Sequence, residues 1–267
     1  MRSANPVLND RAFVQAGASP GVMTAPGGGF TVPDAPAGLR IPTATRRTTM
    51  TVEGTVYKTG ALLLLVIAAA AVSWRFADNG LILLPGLGVA FFALLGLGIA
   101  TAVRPQWAPV TGPLYAVASG VVLGAISSLY NDTYSGIVGQ AVLATMATAG
   151  GMLLAYVTGL IRATPRVRKI IISATLGIML LYVASIVMRL FGASVPFLHD
   201  SGPIGIAVSL FIVGVAAFNL VLDFDFIERG AQAGADKRME WFGAFGVMVT
   251  LVWLYLEMLR LLGKLRD

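Results

Sequence analysis

The stretch Phe211-Ile-Val-Gly-Val-Ala-Ala-Phe-Asn-Leu-Val-Leu-Asp-Phe-Asp-Phe-Ile-Glu228 decides the fold, because an apolar run of membrane length passes into three carboxylates. Ionisable groups at membrane depth cost at least about 2.5–3.5 kcal/mol unless they are paired or wetted. Two interpretations follow. In the first, the helix formed by this apolar run ends here, and Asp223, Asp225 and Glu228 lie among lipid headgroups. In the second, Asp223 still faces the interior of a helix bundle, where its charge depends on a partner.

The composition is that of an integral membrane protein. Of the 267 residues, 57% are hydrophobic and 12% are charged, against roughly 45–50% and 25% in soluble proteins. The net charge of +6 comes from basic residues at segment ends, where they orient helices and meet the anionic lipid bilayer, so nucleic acid is not an expected partner. With no cysteine and a single histidine, His199, the chain lacks thiolate and multi-histidine metal sites, and we expect no cofactor.

The apolar runs come in lengths of about 20 residues, as a bilayer core requires. Glycine, proline, asparagine, aspartate and basic residues separate them. We therefore predict an all-α, polytopic membrane protein, a bundle of seven transmembrane helices. The predicted spans are 59–76, 81–103, 110–130, 136–161, 170–191, 202–226 and 241–263.

Residues 1–55 form a separate segment rich in glycine, proline, alanine and threonine, which includes Gly27-Gly28-Gly29. Such a composition cannot bury enough apolar surface to offset its ordering entropy, so we predict a disordered tail ahead of a membrane domain at 56–267. No apolar run follows its first charges, as a secretory signal would need.

Lysine and arginine in the short loops predict the orientation. The tail, the loop after span 2, the basic run Arg162–Lys169 and the segment 229–240 carry most of these residues and belong on one side. We predict that this side, with the N-terminus, is cytoplasmic. The basic residues Arg260, Lys264 and Arg266 near the last span disagree with this assignment.

Small residues recur at helical spacing in spans 3 and 4. Such stripes let helix backbones approach closely, so we interpret them as packing surfaces. They comprise Ala116, Gly120, Gly124 and Ser128, followed by Ala141, Thr145 and Ala149.

Three elements in this order resemble the transmembrane Bax inhibitor motif family, also called the Bax inhibitor-1 family. They are Pro113-Leu-Tyr-Ala-Val-Ala-Ser-Gly-Val-Val-Leu-Gly124, the element from Asp223 to Ile227, and Leu254-Tyr-Leu-Glu257. The runs Ser3-Ala-Asn-Pro-Val-Leu8 and Thr49-Met-Thr-Val-Glu-Gly-Thr-Val56 are similar to its bacterial branch. The resemblance covers roughly residues 50–265 and implies a protein of the bacterial plasma membrane.

The resemblance implies a seven-helix bundle with the last helix near its centre, acting as a pH-sensitive calcium leak. In the family, an acid near the end of helix 6 and an acid in helix 7 share a proton, and a basic residue after helix 2 latches onto them. Asp223 matches the first acid, Asp225 is an additional acid of the same ion pathway, and Arg104 matches the latch approximately.

The second acid has two candidate positions. Matching Leu254-Tyr-Leu-Glu257 to the family's Leu-Tyr-Leu-Asp makes Glu257 the partner of Asp223, and these two acids are then the expected contacts for calcium ions and protons. Matching the helix ends places the neutral Thr250 there instead. The two residues are seven apart and share a helix face. Glu257 also has a plainer interpretation, a surface pair with Arg260 at the membrane boundary.

Two classes of function remain open. The first is a proton-gated cation leak, since carboxylates supply the hard oxygen ligands that calcium prefers. The alternative, also implied by the resemblance, is a regulatory protein that binds and restrains a membrane protease or another membrane complex, with the tail as the contact. We do not expect an enzyme, because the chain has neither a Gly-x-Ser-x-Gly elbow nor a phosphate-binding glycine-lysine loop.

Overall fold

The computed structural model of the protein describes residues 49–76, 80–191 and 201–267, apart from the side chains of residues 80–85 and 189–190. Seven helices within these ranges are long and apolar enough to cross a membrane. A short 3₁₀ helix, Pro105–Trp107, joins the second to the third. The seven are α1 (Val52–Arg75), α2 (Gly80–Val103), α3 (Ala108–Thr133), α4 (Ile137–Val157), α5 (Pro165–Leu190), α6 (Pro203–Gln232) and α7 (Met239–Lys264).

The predicted all-α fold with seven spans is thereby confirmed, and the protein is a multi-pass membrane protein. The described part of the chain contains no strand beyond an isolated bridge between Thr49 and Asp236. The prediction of a disordered tail falls mostly on residues 1–48, and His199 belongs to the segment 192–200; both lie outside the described residues.

The last helix occupies the position that the resemblance implies. α7 packs against α1, α3, α4 and α6. Ala244, Met248, Leu254 and Leu259 on this helix are completely buried. A helix surrounded on most sides by others needs apolar residues around most of its circumference, and α7 has them.

α1 and α3 pack with their backbones in close approach. A Cβ atom added at Gly120 would lie 2.5 Å from the carbonyl oxygen of Val66, and one at Gly124 would clash with the backbone of Ala70. The Ser73 hydroxyl also donates a hydrogen bond to the Val121 carbonyl oxygen, at 2.8 Å. The packing role predicted for the small residues of span 3 is therefore confirmed.

The helices alternate in direction, which gives the bundle two ends. We call the end that holds Thr49, the α4–α5 loop and the α6–α7 loop the N-side. There the Met50 N–H donates to the Ala235 carbonyl oxygen at 2.7 Å, and the Met50 side chain is only 2% exposed. At the opposite end, the C-side, Arg266 donates to the Ser135 carbonyl oxygen at 3.0 Å.

The carboxylates after span 6 do not mark the end of a helix. α6 runs from Pro203 to Gln232, so Asp223, Asp225 and Glu228 all lie inside it. The interpretation that the helix ends at these residues is wrong. Within the helix, Arg229 and Arg168 compensate the charge of Asp225, as described below.

Candidate functional site

Asp223 lies on α6, more than two turns before the helix ends, and its partly buried side chain faces α7. Its Oδ2 atom accepts a hydrogen bond from the Thr250 hydroxyl at 2.6 Å. One turn earlier on α7, a Cβ atom at Gly246 would lie 3.3 Å from Asp223 Oδ1. Gly246 and Thr250 therefore form a notch on α7 that receives the carboxyl group.

Within the described ranges, this carboxyl group belongs to no ion pair. The ion pairs within the described ranges join Lys58 to Glu240, Arg260 to Glu257, and both Arg168 and Arg229 to Asp225. Asp223 belongs to none of these pairs. Acids inside a membrane bundle are usually paired or line an ion pathway, so this acid, held by one hydroxyl, is the strongest functional candidate.

Glu257 lies on the same helix as Thr250 but does not reach Asp223. Its side chain is 1% exposed and accepts hydrogen bonds from Arg260 Nη1 at 2.9 Å to each oxygen. The Tyr182 hydroxyl donates to it at 2.5 Å and the Trp253 indole at 3.2 Å. Glu257 thus pairs with Arg260, as the plainer interpretation expects, but in the interior rather than at the surface.

The register of α6 against α7 places Thr250 opposite Asp223. Glu257 is two turns further along α7, or about 10 Å at 1.5 Å per residue. The structure therefore adopts the arrangement in which the neutral residue faces Asp223, and the predicted pairing of Asp223 with Glu257 is not formed. The two predicted calcium contacts therefore lie apart in this structure, Asp223 beside Thr250 and Glu257 beside Arg260.

Asp225 points to another face of α6, because two residues turn a helix through about 200°. Its side chain is 14% exposed. Arg168 of α5 donates to Oδ2 at 2.6 Å, and Arg229 pairs with the same atom from one turn along α6. Asp225 is thus a compensated charge at the N-side and does not share the surroundings of Asp223.

Arg104 does not contact Asp223 in this structure. It caps the 3₁₀ helix that follows α2, is exposed to the surroundings, and its guanidinium lies 4.9 Å from the centre of the Trp107 ring. α2 packs on α3, whereas α6 packs mainly on α7, α4 and α5. The predicted latch contact is absent because the two residues lie on different parts of the bundle.

Glu240 is a buried acid that the sequence reasoning missed. It is completely buried in the first turn of α7 and forms an ion pair with Lys58. The backbone N–H and the hydroxyl of Thr51 both donate to Glu240 Oε1 at 2.9 Å. The predicted spans leave it in the segment 229–240 between two helices, whereas acidic residues commonly occupy the first turn of a helix.

A comparison with protein-family models identifies the family, and the match covers almost the whole sequence. The family model described as Bax inhibitor 1 like matches residues 5–267. The chain belongs to the Bax inhibitor 1 like family. Neither a curated protein nor a solved structure matches it. The resemblance predicted from the Pro113–Gly124 run and the two acidic elements is confirmed, and the described part of this family member is a bundle organised around α7.

Proposed function

We propose that the protein is a pH-sensitive leak for cations, with calcium as the cation, and that Asp223 is the group that binds the proton. The observation that supports this proposal is a partly buried carboxyl group in a membrane-spanning helix, with the Thr250 hydroxyl as its partner at 2.6 Å. Family membership supports the same class of activity, and carboxylate oxygens are suitable contacts for calcium.

The charge of Asp223 controls how well α6 and α7 fit together. A protonated carboxyl group is neutral and keeps its hydrogen bond with Thr250, because a hydroxyl both donates and accepts. The ionised form places an uncompensated negative charge among apolar side chains, which is costly. Ionisation therefore disfavours the conformation seen here relative to one in which water or a cation reaches Asp223.

The nearest other charges are already engaged. On the α7 side, the described contacts of Asp223 are with Gly246 and Thr250, neither of which titrates. On α6, Asp225 is held by Arg168 and Arg229. One proton on Asp223 is thus the simplest switch, and it can shift the conformation only by its different affinity for the two states.

Calcium efflux from proteoliposomes at acidic and alkaline pH tests the proposal. We expect efflux that changes between the two conditions for the unaltered protein and a flat response for Asp223→Asn, since the amide keeps the shape and cannot ionise. The matched control is Asp132→Asn, the same change at an exposed acid near the C-side end of α3, which should keep the full response. If Asp223→Asn responds to pH as the unaltered protein does, the sensor is elsewhere.

Binding to a membrane protease, the alternative, makes the opposite forecast. A contact through the tail should be lost on deletion of residues 1–48, and Asp223→Asn should spare it. The deletion must stop at residue 48, because Met50 is buried and the Thr51 side chain caps α1 through the Gly54 N–H at 3.0 Å. A leak that persists after this deletion supports the proposed function.

We further propose that the protein lies in the plasma membrane of a bacterium with its N-side facing the cytoplasm, on the distribution of lysine and arginine. The chain has no cysteine, so single reporters are easily introduced. Cysteine at the exposed Lys237 on the N-side should resist impermeant thiol reagents in intact cells, and cysteine at Asp132 should be labelled. The reverse pattern would invert the orientation.

A further inference from the structure

A cleft enters the bundle from the N-side between α1 and α4. Its volume is about 950 Å³, near the upper end of the ~300–1,000 Å³ typical of ligand pockets. Phe224 of α6 and Val247 of α7 contribute to its inner wall. The cleft thus reaches the central helix, which distinguishes it from the shallow grooves that any helix bundle offers to lipid.

The walls of the cleft are mainly apolar over a length comparable with the hydrocarbon half of one ~30 Å bilayer core. On α1 it extends from Val52 to Leu63, or about 16 Å at 1.5 Å per residue. Opposite, Leu153 and Val157 of α4 line it. Gly60 widens it further, because a Cβ atom there would meet nothing within 4 Å. A long hydrocarbon chain is the ligand that such a wall suits.

A basic group lies where the cleft meets the N-side. Arg162 lines the cleft, and its guanidinium lies against Gly159, whose φ of 74° turns the chain after α4. A Cβ atom at Gly159 would lie 3.4 Å from Arg162 Nη2. The ion pairs of the described ranges leave this guanidinium without a carboxylate.

The two acids of the cleft have described partners other than Arg162. Asp225 is held by Arg168 and Arg229, and Glu228 accepts hydrogen bonds from the Tyr156 hydroxyl and the Gln232 amide. The exposed Arg166 and Lys169 add positive charge on the first turns of α5. The mouth of the cleft therefore complements an anion.

We propose that this cleft binds an anionic phospholipid from the leaflet at the N-side, with an acyl chain between α1 and α4 and the phosphate at Arg162. Basic pockets between membrane helices are suited to anionic headgroups, and the apolar interior of the cleft suits only the hydrocarbon part of such a molecule. The site is separate from the contact between Asp223 and Thr250.

Native mass spectrometry of the full-length protein with added phosphatidylglycerol or phosphatidylcholine tests the site. We expect selective retention of phosphatidylglycerol and roughly tenfold weaker retention by Arg162→Gln, the effect of losing one charge-assisted contact. Arg238→Gln removes the same charge from an exposed position on the N-side and should bind as the unaltered protein does. Equal retention of the two lipids, or equal losses for the two variants, would overturn the proposal.

Filling the cleft tests the position of the acyl chain. Gly60→Leu projects a side chain into the cleft and should reduce phosphatidylglycerol retention by about tenfold, if the chain is excluded. Gly150→Leu makes the same change at another exposed helical position with open space around it and should have no effect. Thermal unfolding shows that each variant is folded. Unchanged retention by a folded Gly60→Leu protein would show that the lipid does not occupy the cleft.

Discussion

Asp223 and Glu257 lie on neighbouring helices of one bundle, yet their side chains have different kinds of partner. Glu257 is almost completely buried and is surrounded by the guanidinium of Arg260, the Tyr182 hydroxyl and the Trp253 indole. Asp223 is less buried, and its described polar partner is the Thr250 hydroxyl. The first carboxylate belongs to an ion pair with Arg260, whereas the second belongs to none of the ion pairs within the described ranges.

Because of this difference, we expect substitutions of Glu257 to affect stability and substitutions of Asp223 to affect the proposed function. Removing one partner of a buried carboxylate–arginine pair leaves an uncompensated charge and is strongly destabilising. A carboxyl group that belongs to no ion pair can change its protonation without breaking one. The partners of the two acids, and not their acidity alone, are therefore the basis for proposing Asp223 as the sensor.

Glu257→Gln should have the largest effect on stability. It leaves Arg260 partly buried without its counter-charge, and breaking a buried pair typically costs about 3–5 kcal/mol. We expect about 3 kcal/mol, because the Arg260 side chain keeps 31% exposure. The measurement is the free energy of unfolding in detergent.

Glu228→Gln provides the control, since Glu228 is exposed and such acids contribute about 0–1 kcal/mol. If the Glu257→Gln protein were as stable as the Glu228→Gln protein, the ion pair of Glu257 with Arg260 would not contribute to stability as described.

Thr250→Val should have an intermediate effect. Valine keeps the shape of threonine but cannot donate to Asp223, and an unsatisfied buried acceptor costs about 1–3 kcal/mol. The same substitution should also displace the pH at which the leak responds. Thr145→Val is the matched control, because the described hydrogen bond of the buried Thr145 hydroxyl is to the Ala141 carbonyl oxygen of its own helix. Equal effects on the pH response would remove Thr250 from the switch.

Arg104→Ala should have the smallest effect. Its contact with the Trp107 ring is worth about 0.5–1 kcal/mol at an exposed position, and the pH response of calcium efflux should not change. Arg75→Ala, at another exposed arginine, should behave similarly. If only Arg104→Ala raises the leak, then the latch that the family resemblance implies forms in another conformation of the protein.

The seven helices could be predicted because each apolar run must match the thickness of the membrane. The helix ends could not be predicted so well, since polar residues also extend the helices. α1 begins at Val52, before the apolar run, because the buried Glu240 pairs with Lys58 and binds Thr51. Glu240 lies on α7, far away in the sequence, so a local sequence pattern cannot predict this contact.

The candidate site was predicted in part. The residues Asp223, Thr250 and Glu257 were all identified, but the sequence left two positions open for the partner of Asp223. The choice depends on the register of α6 against α7, and tertiary packing determines that register. Gly246 carries a usable signal, since small residues four apart on a membrane helix, here Gly246 and Thr250, commonly mark a close contact.

Infrared difference spectroscopy between acidic and alkaline pH tests most directly whether Asp223 is the group that binds the proton. The band of a protonated carboxyl group should appear in the unaltered protein on acidification and be absent from Asp223→Asn. It should remain in the folded fraction of Glu257→Gln, whose altered residue is held by Arg260 in the unaltered protein. A band that persists in Asp223→Asn, or one that disappears in Glu257→Gln, would contradict the assignment of the proton to Asp223.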